Sequence, residues 1–440
     1  MTDSLRAFLA APKVKVALLI VLLALLGFRA YRSALSDAGL NWDFANFYNT
    51  GARVFYGETE NIYRYDAPIR GQKPELDNRA EYVSFPISAY TFAPLGAMQP
   101  RTALMVFKVF CLLCYALGYW LLYRHFAQRA ERGNRFDVHP AVYLLLILLY
   151  EPAWRVFTIG GQSTPLVFLL LVLFLRAYTS GKIWWAALFL SFAGLHKPFL
   201  GATGLVFLFA GQWRFLGALA GTFVAEALLS VVVMGWKLHV EWLNIVLQEG
   251  SRWAIPWWYN TSLVGVLNNF WFYLQAGRVE WAPMPPALHY ARLALQLALV
   301  GVLLWQIRRV QKFSLAPSEQ QHWHVCWAIV FILAAPGISW EHYWAFLFIP
   351  LLYLLAHFFV LPRALQALTV LGALLTLRAR KTFAFSIDQR FLKMDNVFEI
   401  LLVGLYACGA LLAVTLALGA WSPRAEELQA SAPTAPTKSA

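Results

Sequence analysis

Few residues in this sequence can do chemistry, and those that can are gathered in short polar islands between apolar runs. The first island holds Asp43, in a stretch where Phe44, Phe47, Tyr48 and Phe55 fall at near-helical spacing. That spacing predicts an amphipathic helix lying in a membrane interface, with Asp43 in its first turn, where the helix dipole favours a carboxylate. On spacing alone, the ordinary role for Asp43, or for Asn41 beside it, is to cap the helix. The second island is His196-Lys197-Pro198, a tight turn between two apolar stretches. An idle charge there is costly, so Lys197 either holds an anion or snorkels to the headgroups. Gln162 in Gly160-Gly161-Gln162-Ser163-Thr164, Asn260 and Ser262 in Asn260-Thr261-Ser262, and His342 in Trp340-Glu341-His342-Tyr343-Trp344 add neutral donors and acceptors. Arg155, Arg252, Arg378, Arg380 and Lys381 are further cations of a kind that also anchors helices to lipid. Asn260-Thr261-Ser262 also spells an N-glycosylation acceptor. No cluster has metal-ligand spacing, so no metal requirement is expected; Asp66, Asp77 and Glu81 are the carboxylates that could hold one.

The elements that must position these islands are membrane spans. With 60% hydrophobic and 13% charged residues, the 440-residue chain has too little polar material to cover a water-facing surface. Uncharged apolar runs at 16–28, 166–175, 325–340 and 403–421 approach the roughly 20 residues needed to cross a bilayer, and about a dozen such spans are expected. The run at 16–28 has Lys15 and Arg29 at its edges and no small-residue cleavage site after it, and is read as a retained first helix. The four cysteines, Cys111, Cys114, Cys326 and Cys408, all lie in apolar stretches, so the Cys-x-x-Cys at 111 and 114 is read as helix packing and not as a redox or zinc pair. The net charge of +13 is spread over short connectors, which points to topology and away from nucleic acid.

Basic loops at 124–137 and 308–312 should face the cytoplasm. Counting outward from them puts both termini inside, with a disordered tail at 422–440 after a single transmembrane domain at 1–421. The opposite face receives a long segment at 31–101, the turns carrying Gln162, Lys197 and His342, a second long segment at 236–286, and the 378–396 loop. Nearly every polar island therefore falls on one side. There is no nucleotide-binding fingerprint, His-Glu-x-x-His motif or internal repeat, and the inner loops are too short to house an ATP-driven motor.

Six motifs carry a resemblance to a known family. The run from Asp43 through Tyr48, Ala52, Gly57 and Tyr63-Arg64-Tyr65-Asp66 resembles the signature that follows the first helix of glycosyltransferase family 87, integral-membrane type C enzymes that use polyprenyl-phosphate sugars. Phe85-Pro86 through Tyr90, Pro94 and Leu95, then Gly161-Gln162-Ser163-Thr164-Pro165, His196-Lys197-Pro198, and Asn260-Thr261-Ser262-Leu263 with Glu341-His342-Tyr343 resemble later family features in the same order. The resemblance runs to about residue 350. It implies an all-α polytopic protein of type C architecture, with interfacial helices in the outer loops. It also implies Asp43 as general base, since an inverting transfer needs one carboxylate and the phosphate leaves without an acid. Lys197, His196, His342 and Arg252 are then expected to hold the phosphate, and Gln162, Asn260, Ser262, Tyr48 and Trp257 to contact sugar or acceptor, with Trp42, Trp253 and Trp258 as further stacking faces. Two departures stand out: Gly51-Ala52 where many members have Ala-Ala, and His196 where an aliphatic residue is usual.

The expected function is an inverting transferase of a hexose, mannose being favoured, from polyprenyl phosphate to a lipid-linked or envelope glycan. The site would face the outside of the cell (inner) membrane, with no cofactor and no nucleic-acid partner. The alternatives are an arabinofuranosyl transferase of the same architecture, or a transporter or flippase of a lipid-linked intermediate. A proton-coupled transporter would need ionisable groups at mid-membrane depth, for which Glu226, Lys108 and Glu151 are the candidates.

Overall fold

The computed structural model describes residues 12–37, 40, 43–64, 67–71, 76, 82–130, 138–159, 161–251, 253–254, 260, 262–276, 282–312, 315–376 and 397–421. Arg252, Trp257 and Trp258, together with Trp42, Asp66, Asp77, Glu81, Arg378, Arg380, Lys381 and the 422–440 tail, lie outside them.

These residues are helical almost throughout. In chain order come α1 (Pro12–Ala34), α2 (Asp43–Phe55), a 3-10 helix at Pro86–Ala97, α3 (Pro100–Ala130), α4 (Pro140–Leu149), α5 (Glu151–Ile159), α6 (Thr164–Thr179) and α7 (Ile183–His196). A 3-10 turn at Pro198–Thr203 leads to α8 (Gly204–Phe209), α9 (Trp213–Met234) and α10 (Trp236–Ser251). Then follow α11 (Leu263–Ala276), α12 (Pro286–Gln311), α13 (Pro317–Ala334), a 3-10 helix at Glu341–Leu347 running into α14 (Phe348–Ala356), α15 (Arg363–Leu375) and α16 (Val397–Ala420). The extended structure among the described residues includes one short antiparallel pair, β1 (Trp253–Ala254) with β2 (Ala282–Pro283), and an isolated bridge between Asn260 and Trp340. Prolines sit in the first turn of α4, α6, α12 and α13, where a missing N–H costs nothing.

Among the described residues four helices, α1, α3, α9 and α12, are long and apolar enough to cross a membrane. Their outward faces are apolar: Leu228 is 62% exposed and Val232 83%. Such a surface has its proper solvent in hydrocarbon, where a helix also satisfies its own backbone. Shorter apolar helices, among them Pro140–Leu149, Thr164–Thr179, Ile183–His196 and Arg363–Leu375, fill in between. The apolar stretch expected at 325–340 does not continue as one span, because α13 stops at Ala334, just before Pro336 and Gly337.

The centre of the bundle is the rod Glu341–Ala356, in which every residue from 341 to 354 is buried. Tyr150 donates to the Trp344 carbonyl at 2.7 Å and fixes the rod near its start. Near its end, Tyr353 donates to Glu319 at 3.2 Å beside a His125–His322 contact of 2.7 Å. At that same end Arg176 donates to Leu121 O and Arg309 to Gly419 O.

A second expectation is corrected. Helix α2 is not a half-wet interfacial helix: every residue from 44 to 54 is buried. Its apolar spacing serves packing on more than one side, with Phe47 stacked on Phe92 at 4.5 Å and Phe44 against Phe107 at 5.7 Å. At Gly51 and Gly96 the two backbones touch. A Cβ on Gly51 would run into the Phe92 carbonyl, and one on Gly96 into the backbone of Ala52. This gives the Gly51-Ala52 departure a steric reason.

Candidate active site

Asp43 opens α2, and its neighbour Phe44 explains its position. Gly161 holds φ at +65°, a left-handed conformation open to glycine, and its missing Cβ leaves room for Phe44 Cβ, which would otherwise be 2.9 Å away. The turn thus lies flat against the start of α2 and presents Gln162 to Asp43. As a residue Asp43 is half-buried, its carboxylate being the buried end. Burial raises its pKa above the ordinary value, against the opposing effects of a hydrogen bond from Gln162 and the charge of Lys197.

Lys197 follows the last residue of α7, where Pro198 ends the helix. Its ammonium donates to Gln162 Oε1 at 3.0 Å and to the Tyr343 hydroxyl at 3.3 Å. An ammonium has no acceptor, so the oxygen end of the Gln162 amide must face Lys197 and the NH2 end is left for Asp43. Burial lowers Lys197 to about 8, partly offset by the negative charge of Asp43. The result is a compact unit in which one neutral amide separates an acid from a base.

The 3-10 helix at Glu341–Leu347 supplies the third side. Tyr343 lies against Phe199, with ring centroids 4.9 Å apart, and edge-on to His342 at 4.5 Å. His342 is buried, and its Nε2 has no hydrogen-bond partner among the described residues. Arg155 on α5 pairs with Glu341 at 3.2 Å, which puts a guanidinium beside the same segment. His196 is fully buried between Phe92 and Phe192, with both ring nitrogens unpartnered among the described residues. It stands next to Lys197 in the chain but faces an aromatic pocket.

The structure therefore brings Asp43, Gln162, Lys197 and His342 together from four segments. Three other sequence candidates take different work. Tyr48 is fully buried and gives its hydroxyl proton to Met98 O at 2.7 Å, which makes it scaffold between α2 and the segment that covers it. Asn260 and Ser262 are fully buried, and their side chains engage the 337–340 turn and the start of α11. Arg252 and Trp257 lie outside the described residues.

Sequence reasoning missed Tyr343 as a partner of Lys197, and Glu341 as the partner of Arg155. The signal for both was present: two polar side chains opening an apolar segment, next to the histidine already singled out.

Cys111 and Cys114 are free and buried on α3, with Cys111 Sγ 3.6 Å from Gln162 O. The pair belongs to helix packing. Glu226, Lys108 and Glu151 each have a partner: Ser191 meets Glu226, Lys108 reaches Ser36 O, and Arg29 pairs with Glu151 at 2.7 Å.

No curated protein matches the chain. A family model, that of glycosyltransferase family 87, matches residues 85–336, more than half of the sequence, and includes Gln162, Lys197, Asn260 and Ser262. The chain belongs to glycosyltransferase family 87.

Proposed function

We propose that the protein is an inverting glycosyltransferase that moves a hexose, mannose by preference, from a polyprenyl phosphate to a lipid-linked or envelope glycan. The observation that carries this reading is the unit Asp43–Gln162–Lys197–Tyr343: one buried carboxylate beside one buried ammonium. In the proposed step the acceptor hydroxyl attacks the anomeric carbon, the bond from that carbon to the phosphate oxygen breaks, and the hydroxyl proton passes to Asp43. Polyprenyl phosphate leaves with the bonding electrons. Such a leaving group needs no protonation, so a single carboxylate suffices. Lys197, Tyr343 and His342 offer donors for the charge that grows on the phosphate, a stabilisation worth most in a site of low dielectric. A raised Asp43 pKa makes a stronger base than an exposed aspartate.

The reading includes a type C architecture of about twelve spans, both termini in the cytoplasm, and the site facing the periplasm or exterior of the cell membrane. The positive-inside distribution of the short loops supports that orientation. Transport is the less favoured reading because Glu226, Lys108 and Glu151 all have local partners.

The test incubates purified protein with radiolabelled polyprenyl-phosphate sugars and membrane-lipid acceptors. Wild type should transfer label, and Asp43→Ala and Asp43→Asn should fall by at least about a hundredfold, in keeping with loss of a general base. Wild-type rates in both folded variants would remove Asp43 from the role. For sidedness, a cysteine at position 58 should react with an impermeant reagent from outside and one at position 124 should not.

A further inference from the structure

The Asn260 side chain is held by three hydrogen bonds. Its Nδ2 donates to Gly337 O at 2.8 Å, and its Oδ1 accepts from Ser339 N at 2.9 Å and from Ser262 Oγ at 3.1 Å. Its backbone pairs with Trp340 in an antiparallel bridge. Ser262 in turn accepts from Gly265 N at 2.8 Å, which caps the first turn of α11, and Gly265 has no Cβ because the Asn260 amide occupies that space. One amide thus acts as a short artificial strand for residues 337–340, satisfying a donor and an acceptor that the turn leaves open.

What that turn delivers matters. Trp340 caps the 3-10 helix Glu341–Leu347, with Tyr343 N donating to Trp340 O at 2.8 Å. Three residues beyond the clamp, the Tyr343 hydroxyl meets the Lys197 ammonium. We infer that Asn260 is a positioning residue, which sets the reach of Tyr343 to Lys197 by fixing the register in which the rod begins. The role rests on Lys197 belonging to the site, as proposed above, and on no particular sugar. It assigns the Asn-x-Ser motif of this chain to geometry, although the motif lies in a different segment from every residue of the unit it serves.

The experiment is a double-mutant cycle on full-length protein in detergent or nanodiscs, with kcat, KM for the donor and the pH profile of each read out. Asn260→Ser should lower kcat about tenfold, consistent with a contact displaced by a fraction of an ångström, and leave thermal unfolding cooperative. Tyr343→Phe should do the same. The double variant should be no worse than about twofold below Tyr343→Phe, because the two act through one contact. Losing an acceptor disfavours the ammonium form, so both single variants should move the basic limb of the profile to lower pH. Multiplicative losses in the double variant, or an Asn260→Ser profile with an unmoved basic limb, would overturn the inference. Should Asn260→Ser not accumulate, Ser262→Ala weakens the same clamp and runs through the same cycle with the same two outcomes. Lys197→Met is the control: full activity there sinks the site reading itself, while loss there with additivity at Asn260 sinks only the clamp.

Discussion

The Lys197 ammonium lies 3.0 Å from the amide oxygen of Gln162, and this one contact decides which way the glutamine faces. With the oxygen held by a cation, the NH2 group is turned to Asp43 and pins its carboxylate. Acid and base are kept apart yet oriented by the same side chain.

Gln162→Glu is the sharpest probe of that arrangement. It changes hardly any volume but replaces a donor toward Asp43 with a second carboxylate. The expected result is a loss of about a hundredfold in kcat and an acidic limb displaced to higher pH, since a like charge disfavours the ionised form of Asp43. A Gln162→Glu profile that overlays wild type would show that the amide does not orient the base.

The pH dependence of the native protein should be bell-shaped. As the proposed base, Asp43 would work deprotonated; its pKa is raised by burial, so the acidic limb should lie above the ordinary aspartate value of about 3.9. As the proposed phosphate ligand, Lys197 would work protonated, so activity should decline as pH rises through about 8. Lys197→Arg should carry that basic limb to higher pH in whatever activity remains, because a guanidinium stays charged. Stability follows the opposite logic at Asp43. A folded pKa above the unfolded one means that the native state binds the proton more tightly, so this group opposes folding increasingly as pH rises from the unfolded value through the folded one. Asp43→Asn should therefore abolish turnover while raising the melting temperature by about 1–3 °C near neutral pH, with no gain near pH 3.5. Lower stability of the Asn variant at pH 7 would contradict the assignment.

Gly51→Ala tests the packing that carries Asp43. The added methyl meets the Phe92 carbonyl, a backbone atom that cannot swing aside. Overpacking of this kind should cost about 1–3 kcal/mol and reduce activity through displacement of α2. Gly57→Ala, where a Cβ would meet nothing within 4 Å but φ is +80°, should strain the turn without moving Asp43. Equal effects on donor KM in the two variants would mean that α2 does not need its close seat on Phe92.

The sequence made local features legible. The helix opening at Asp43, the glycine turn that shows Gln162, and the proline-terminated turn at Lys197 are encoded within a few residues, through dipole, φ and ring constraints. Roles settled by distant partners were hidden. Tyr48 reads as a candidate contact for sugar or acceptor, and nothing near it in sequence announces that its proton goes to Met98 O, fifty residues on. Asn260 reads as a free amide until the 337–340 turn arrives from nearly eighty residues away. The burial of α2 likewise depends on Pro86–Ala97, whose apolar side chains could not be assigned a face by periodicity, because they lie on a 3-10 helix. Family membership restored the order of the motifs but not the division of labour among them.

The buried rod Glu341–Ala356 also imposes a schedule on biosynthesis. A ribosome delivers Asp43, Gln162 and Lys197 to the membrane long before it reaches Tyr343, so a nascent chain holds its lysine at the mouth of an unfilled bundle. Of its two hydrogen-bond acceptors, only Gln162 has by then been made. Every later helix must then leave the centre open until the rod enters. A chain cut short before residue 341 would lack both the segment that fills this centre and the Trp344 carbonyl that Tyr150 engages, so its earlier helices would close on nothing.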